Sequence, residues 1–390
     1  MPTRRSAGAR HPLVIADNAV FTVLILAMIV AGGGLLVGKE RFDAPGPLAE
    51  DKIVNIPRGG IRDVGDQLKR EGVIDQPWLF VFGVIALKAR TDLKFGEYQF
   101  INHASLHDVI TTMTEGKVVQ HPVSFPEGLT SQQIVQRLLD NDILSGSITE
   151  IPREGSLLPE TYKFPRGTSR EQVIRRMQDE QRKLVQYVWE HRVADLPIKT
   201  PEDLITLASL IEKETSKAEE RTRVAAVFVN RLNKHMRLQS DPTIIYGLVG
   251  GRGTLGRPIL ESEIRQPTPY NTYVVDGLPP GPIANPGRAS LEAAANPART
   301  KELYFVADGN GGHVFSENYG EHQKNVDRLR GIEHQHGDNA ATSAAAAPPP
   351  AQAAQPVPAA QPAQPAGPPM RPASVKRSVK RKPAPQPQPQ

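Results

Sequence analysis

The sequence predicts an α+β fold, preceded by one apolar N-terminal helix and followed by a disordered tail. Three observations support this prediction. Residues 19–37 form an uncharged, apolar run that is long enough to cross a bilayer. Between residues 51 and 337, short strand-like runs alternate with segments whose apolar residues recur at helical spacing. Of the 36 prolines, 14 lie in the last 50 residues among many alanines and glutamines, a composition that cannot bury a core.

Charge and composition exclude several classes of protein. Residues 338–390 carry six Lys or Arg and one Asp, so the net charge of +5 lies in the tail and residues 1–337 are neutral. A nucleic-acid-binding core therefore has little support. The absence of cysteine excludes a disulfide scaffold, a thiol catalyst and a Cys-ligated zinc. No HExxH, P-loop or GxSxG motif occurs, and we expect neither a metal nor a cofactor.

The apolar run at residues 19–37 is interpreted as a transmembrane helix. At about 1.5 Å per residue, a helix of this length crosses the hydrocarbon core of a bilayer. Arg4, Arg5 and Arg10 precede it, so the positive-inside rule places the N-terminus in the cytoplasm and the rest of the chain on the other side of the membrane. A cleaved signal peptide is the alternative, but the run is long for one and no clear A-x-A site follows.

The first soluble segment combines strands and helices. Apolar spacing and glycine stops predict, in order, a strand at 52–56, a helix from 61 to 72, an apolar helix at 78–87, a strand at 97–100 and a helix from 106 to 116. A second strand–turn–helix unit is predicted at 119–139, a turn-rich loop at 154–165 and a charged helix at 170–192.

The remaining segment begins with a strong helix start. Thr200 is a good N-cap, Pro201 suits the first turn, and two acidic residues follow. Further elements are predicted as follows: a helix near 224–232, loops with little regular structure at 236–300, a hairpin at 303–315, a helix near 319–333 and a disordered tail.

One helix carries the pattern that is most suggestive of chemistry. In LASLIEKET, residues 207–215, helical geometry places Glu214 over Leu207, Leu210 and Ile211, whereas Glu212 lies over less apolar neighbours. Desolvation would then raise the pKa of Glu214, as a general acid near neutral pH requires. The alternative is that both glutamates are solvated and pair with nearby lysines.

Several later loops are rich in Pro, Gly, Asn, Thr and Tyr, namely those at 236–247, 266–273 and 277–287. Prolines stiffen such loops, and the polar side chains supply hydrogen-bonding groups, which would suit a sugar-binding groove but also any ordered loop. His313 lies in the predicted hairpin, where a structural role is the default.

Taken together, these segments resemble the YceG-like family of endolytic murein transglycosylases. The resemblance covers residues 51–335 and is most specific in 207–318, which contains ASLIEKET, AAVFVNRL, MRLQSDPTIIYG, TPYNTY, GLPPGPIANPG and YFVADGNGGHVFS. It implies a LysM-like subdomain (51–120), a linking α+β region (121–199) and a catalytic domain (200–337). The residues themselves predict a cytoplasmic N-terminus (1–18), a transmembrane helix (19–37), a spacer (38–50) and a tail (338–390) that has no counterpart in the family pattern.

The resemblance also implies a reaction, in which Glu214 protonates the glycosidic oxygen between MurNAc and GlcNAc. The same carboxylate then takes the proton of the muramoyl 6-hydroxyl, which closes on C1 to give a 1,6-anhydro end, so that no second carboxylate is required. Glu212 is the rival for the acid. The candidate groove residues are Gln239, Asp241, Tyr246, Tyr270, Asn271, Thr272 and Asn285.

The implied partners are peptidoglycan strands, the membrane, and penicillin-binding proteins or other wall-synthesis proteins. Two other functions are open. A hydrolytic muramidase would use Glu214 together with Asp241 and leave reducing ends. A non-catalytic scaffold would bind the wall through the LysM-like subdomain.

Overall fold

The computed structural model describes residues 12–346. Contacts between residues divide the chain into two units, with the boundary between His334 and Gln335. The helices and strands are α1 (Pro12–Asp43), β1 (Lys52–Ile56), α2 (Ile61–Arg70), α3 (Pro77–Ala86), β2 (Gly96–Phe100), α4 (Leu106–Glu115), β3 (His121–Ser124), α5 (Ser131–Leu139), β4 (Thr161–Phe164), α6 (Arg170–Glu190), α7 (Pro201–Glu214), α8 (Arg221–Asn233), α9 (Asp241–Val249), α10 (Glu261–Ile264), α11 (Arg288–Ala295), β5 (Tyr304–Ala307), β6 (His313–Ser316) and α12 (Tyr319–Ala346).

Helix α1 is long and apolar enough to cross a membrane, and no other helix in residues 12–346 meets that test. Its candidate span is Phe21–Asp43, with a mean hydropathy of 2.4. The predicted run at 19–37 lies within this helix. However, α1 continues to Asp43, so the first part of the predicted spacer is helical, because no proline lies between Pro12 and Pro45 to stop the helix.

The first soluble elements form a β-α-α-β unit with α4 packed against it. Strands β1 and β2 pair antiparallel, with Lys52 opposite Phe100 and Ile56 opposite Gly96. Their inward side chains join α2, α3 and α4 in one hydrophobic cluster. The predicted strands and helices of this segment are confirmed. Gly116 takes a left-handed conformation at the end of α4, with φ of 72°, a position that favours glycine.

A second hydrophobic cluster joins β3, β4, α5 and the first half of α6. The two strands pair antiparallel. Residues 161–164 were predicted within a turn-rich loop, and that prediction is wrong. They form β4 because Tyr162 and Phe164 alternate into the core, where they are 6% and 5% exposed.

The third cluster is helical and carries the candidate site. Helices α7, α8 and α11 pack together with the second half of α6. Thr200 caps α7 as predicted, because its hydroxyl accepts a hydrogen bond from the Asp203 backbone N–H at 3.1 Å. The prediction of little regular structure at 236–300 is wrong, since α9, α10 and α11 lie there. Helix α11 is short, but its last three alanines are buried and let it approach α7 closely.

The predicted hairpin is confirmed, with β5 and β6 paired antiparallel from Tyr304–Ser316 to Ala307–His313. The last helix, α12, ends at Ala346 and not near residue 333 as expected. The disordered tail was predicted from residue 338, and its residues 347–390 lie outside the described part of the chain. The domain boundaries drawn from the resemblance stay a prediction.

Candidate active site

Glu214 is the last residue of α7. The helix holds it in place because Leu204, Leu207 and Ile211 are fully buried in the third cluster. Thr215 follows in an extended conformation and ends the helix. The carboxylate is therefore attached to a rigid, buried element, as catalytic geometry requires.

The surroundings of Glu214 favour its neutral form. The residue is half-buried, and its carboxyl group has a pKa raised to about 7. Burial is the largest cause of the increase, and the Asp241 carboxylate adds to it. Three groups lower it, namely a hydrogen bond donated by the Ser240 hydroxyl and the positive charges of His313 and Arg231. Near neutral pH such a carboxyl group can both donate and accept a proton.

Glu212 has a different environment from Glu214. Its side chain is 5% exposed, and its Oε1 lies 3.7 Å from Nη2 of Arg221. Its Oε2 accepts a hydrogen bond of 2.9 Å from the backbone N–H of Gly287, the residue that caps the N-terminus of α11. A carboxylate at a helix N-terminus is favoured by the helix dipole. Glu212 thus joins α7 to α8 and α11.

The N-cap of α9, Ser240, and its first residue, Asp241, face Glu214. Gln239 turns the chain with a φ of 52°, and the Ser240 N–H donates to Oγ1 of Thr272 at 2.9 Å. Asp241 is exposed at the first turn of α9, and its Oδ1 accepts a hydrogen bond of 2.6 Å from the hydroxyl of Tyr273. Burial raises the pKa of that tyrosine, so the hydroxyl remains a donor.

The side chain of Arg231, on α8, holds the loop before α9 in place by hydrogen bonds. It is 8% exposed and donates to the carbonyl of Leu303 at 2.6 Å and to that of Leu238 at 2.8 Å. It also donates to Oε1 of Gln239 at 3.3 Å. The exposed Gln239 is therefore tied to α8. Its amide nitrogen still has the two protons with which it could meet a ligand.

Three of the predicted groove residues are buried and face other parts of the protein. Asn271 donates to the carbonyls of Ile264 and Gln266 at 2.9 and 2.8 Å. Thr272 accepts from the Ser240 N–H. Asn285 is 0% exposed and bridges distant segments, accepting from the Leu157 N–H at 3.0 Å. In this conformation these side chains hold the loops together and do not line a groove.

Tyr246 and Tyr270 do line an open cavity. Their ring centroids are 4.8 Å apart, and the cavity has a volume of about 600 Å3. Its other walls include Glu154, whose Oε2 accepts a hydrogen bond of 3.2 Å from the Tyr246 hydroxyl. Burial raises the pKa of Glu154. Glu214 is not among the residues that line this cavity.

Sequence reasoning missed several contacts of Glu214 and its loop. Three of the residues involved lie in motifs that carry the family resemblance: Ser240 in MRLQSDPTIIYG, Arg231 in AAVFVNRL and Tyr273 in TPYNTY. Their place in these motifs could have identified them as candidates. Glu220 carried no such signal, yet its Oε2 lies 2.7 Å from Nδ1 of His313, and its Oε1 accepts from the His313 backbone N–H at 2.9 Å. The hairpin histidine is thus held in place, and its charge acts on Glu214. In the described part of the chain, no three acidic or histidine side chains gather as a metal site would need.

The model of the YceG-like family matches residues 54–328. The chain belongs to the YceG-like family. It is similar to a protein of Bacillus subtilis named endolytic murein transglycosylase, with 46% identity over 121 residues, 31% of this chain and 32% of the relative. A Streptococcus pneumoniae protein of the same name is 30% identical over 358 residues, covering 79% of this chain and 64% of the relative.

A solved structure of a YceG-like protein from Listeria monocytogenes is also similar, at 31% identity and a TM-score of 0.43, covering 70% of this chain and 98% of that one. This YceG-like chain therefore spans about a third of the Bacillus relative and 64% of the Streptococcus relative.

Proposed function

We propose that the protein is a membrane-anchored lytic transglycosylase that cleaves MurNAc–GlcNAc bonds within peptidoglycan strands. Family membership and the names of the relatives support the activity. The observation that carries the proposal is the carboxyl group of Glu214, which has a pKa of about 7 and is held by the Ser240 hydroxyl at the end of α7.

In the first step, neutral Glu214 donates its proton to the glycosidic oxygen, and the bond from that oxygen to C1 of the muramoyl residue breaks. Positive charge then develops on the sugar ring, and the Asp241 carboxylate beside Glu214 lowers its energy. In the second step, ionised Glu214 takes the proton of the 6-hydroxyl group as that oxygen bonds to C1. The product carries a 1,6-anhydro ring, and Glu214 is neutral again.

The Ser240 hydroxyl has a positioning role in both steps. It donates to Oε1 of Glu214, which orients the carboxyl group and keeps Oε2 available for the proton. Because the hydrogen bond favours the ionised form, it also prevents the pKa from rising so far that Glu214 could no longer act as a base. Gln239 and Asp241 are the predicted groove residues that are exposed beside this site.

The location and the glycan-binding unit belong to the same proposal. Helix α1 is the anchor, with its N-terminal end in the cytoplasm and the Glu214 site outside the inner membrane. The β-α-α-β order of β1, α2, α3 and β2 supports a LysM-like role in binding glycan. Penicillin-binding proteins or other wall-synthesis proteins stay predicted partners.

Mass spectrometry of murein glycan strands digested with the purified protein tests the activity. We expect 1,6-anhydro ends that are lost in Glu214→Gln and retained in Glu212→Gln. Loss with Glu212→Gln alone, in a folded protein, would move the acid to Glu212. The absence of cleavage by the wild-type protein would favour the scaffold.

A hydrolytic muramidase is the second candidate, because Asp241 lies beside Glu214 and could activate water. The two functions differ in what Asp241→Asn should do. In the lyase, anhydro ends persist, and removal of the negative charge lowers the pKa of Glu214, so the alkaline limb of the activity profile moves to lower pH. In the hydrolase, the wild-type product has reducing ends, and Asp241→Asn abolishes cleavage.

A further inference from the structure

Helix α3 has one apolar face that other parts of the described chain leave exposed. Trp78, Phe82 and Ile85 are 66%, 55% and 59% exposed. Their spacing of four and then three residues places them on one side of the helix. The other side, with Phe80 and Val84, is fully buried in the first cluster. Three large apolar side chains in one exposed stripe are typical of a surface that binds a partner or a membrane.

This face lies directly beside α1. A Cβ atom added to Gly83 would approach Cε2 of Phe42 to 2.4 Å, so the glycine is what allows the end of α1 to pack on α3. The Phe42 ring also contacts His107 of α4 edge-on, at a centroid distance of 5.7 Å. Two contacts on two helices thus set the position of α1 against the β-α-α-β unit.

The two helices share an apolar groove of about 460 Å3. Its walls come from α1, from α3 and from Leu87 just after α3: Gly34, Gly38, Lys39 and Phe42 on one side, and Trp78, Leu79, Phe82, Gly83, Ala86 and Leu87 on the other. Gly34 and Gly38 leave the side of α1 that lines the groove without large side chains there, which opens the groove to its surroundings.

The position of this groove along α1 indicates that lipid occupies it. Gly34 lies within the uncharged run at 19–37 and eight residues before Phe42, which is about 12 Å along the helix. If α1 crosses a bilayer, Gly34 lies beside hydrocarbon, and the α3 side chains that share its groove lie at the membrane surface. A tryptophan at that level is typical of membrane interfaces. With 10 residues, α3 is too short to cross the bilayer itself.

We propose that α3 is an interfacial helix, with Trp78, Phe82, Ile85 and Leu87 inserted among the lipids of the leaflet from which α1 emerges. This inference rests on the anchor role of α1 in the proposed function. It means that the β-α-α-β unit is fixed at the membrane surface by two elements, α1 and α3, and cannot swing freely on a tether.

The chain contains two tryptophans, Trp78 and Trp189, which makes the test simple. Full-length protein is reconstituted into vesicles of phosphatidylglycerol and phosphatidylethanolamine, with or without bromine atoms on the acyl chains. The variant Trp189→Phe reports on Trp78 alone. The variant Trp78→Phe reports on Trp189, which is half-buried against the third cluster, and serves as the matched control.

We expect brominated lipid to reduce Trp78 emission at least about twofold, aqueous iodide to leave it nearly unchanged, and the Trp189 signal to be insensitive to bromine. Quenching of Trp78 by iodide but not by bromine would overturn the proposal. Protection of Trp78 from both quenchers would also overturn it, because a protein, such as a second copy of this chain, would then cover the face.

A third variant separates this inference from the anchor itself. Met28→Trp, made together with Trp78→Phe and Trp189→Phe, places the probe in the middle of the predicted span. Bromine quenching at position 28 with none at position 78 would keep α1 as the anchor and reject α3 as an interfacial helix. Absence of quenching at both positions would reject the anchor as well.

Discussion

Replacing Glu214 with glutamine should abolish cleavage and at the same time stabilise the protein. Glutamine has nearly the same shape and still offers Oε1 to the Ser240 hydroxyl, but it cannot donate an acidic proton. Loss of a general acid costs about 10²- to 10⁴-fold in rate. We expect a decrease of at least that size in the rate at which anhydro ends form.

The stabilisation follows from the raised pKa of Glu214. The difference between its usual value of 4.5 and about 7 corresponds to about 3 kcal/mol. The folded protein disfavours ionised Glu214, so the contribution of neutral Glu214 to stability is fully present below pH 4.5 and is lost as the pH rises through about 7. Since glutamine does not ionise, the variant should equal the wild type near pH 4 and exceed it by up to about 3 kcal/mol above pH 7.

Denaturant unfolding of the detergent-solubilised protein at pH 4.5, 6, 7 and 8 measures this difference. Glu212→Gln is the matched control. It removes a buried charge that faces Arg221 and the N-terminus of α11, and should destabilise the protein by about 1–3 kcal/mol at neutral pH. If Glu214→Gln were destabilising at pH 8, or if its effect did not change with pH, the burial argument for the acid would be wrong.

Three further predictions concern the hydrogen bonds of Ser240, Arg231 and Asn285. Ser240→Ala removes a hydrogen bond that favours ionised Glu214, so the alkaline limb of the pH–activity profile should move up by about one pH unit; an unchanged profile would contradict the contact. Arg231→Met leaves the buried carbonyls of Leu303 and Leu238 without their donor and should cost about 3 kcal/mol of unfolding free energy, measured by denaturant unfolding. Asn285→Ala should cost about 2–4 kcal/mol with little change in KM for glycan strands, whereas a large KM increase in a stable variant would show direct binding.

The sequence was most informative where one local signal determined one element. Thr200 and Pro201 predicted the start of α7, and Gly116 predicted the end of α4. Such signals act within a single turn of chain, so they can be interpreted without knowledge of the fold. Strand β4 was missed because proline and glycine surround it, and its strand character depends on pairing with β3, which no local pattern records.

The glutamate pair shows the same limit at the candidate site. The helical pattern correctly placed Glu212 and Glu214 beside the buried face of α7, but it described their neighbours only within that helix. What distinguishes the two comes from other segments. The carboxylate of Glu212 accepts a hydrogen bond from the Gly287 N–H and pairs with Arg221. The carboxyl group of Glu214 accepts a hydrogen bond from Ser240 and interacts electrostatically with Asp241. The hydrogen bonds from Ser240 and Gly287 span 26 and 75 residues of sequence, beyond the range of periodicity.

Asn271, Thr272 and Asn285 were predicted to face a groove. They are buried, and their hydrogen bonds hold the surrounding loops in place. The Asn271 side-chain amide donates hydrogen bonds to three backbone carbonyls that lie just before it in the chain. Oγ1 of Thr272 accepts a hydrogen bond from the Ser240 N–H. A polar group without a partner is costly in the interior, so each of these residues fixes its segment in one arrangement. They act on Glu214 through Ser240, whose hydroxyl must remain within hydrogen-bonding distance of a carboxyl group that alternates between acid and base.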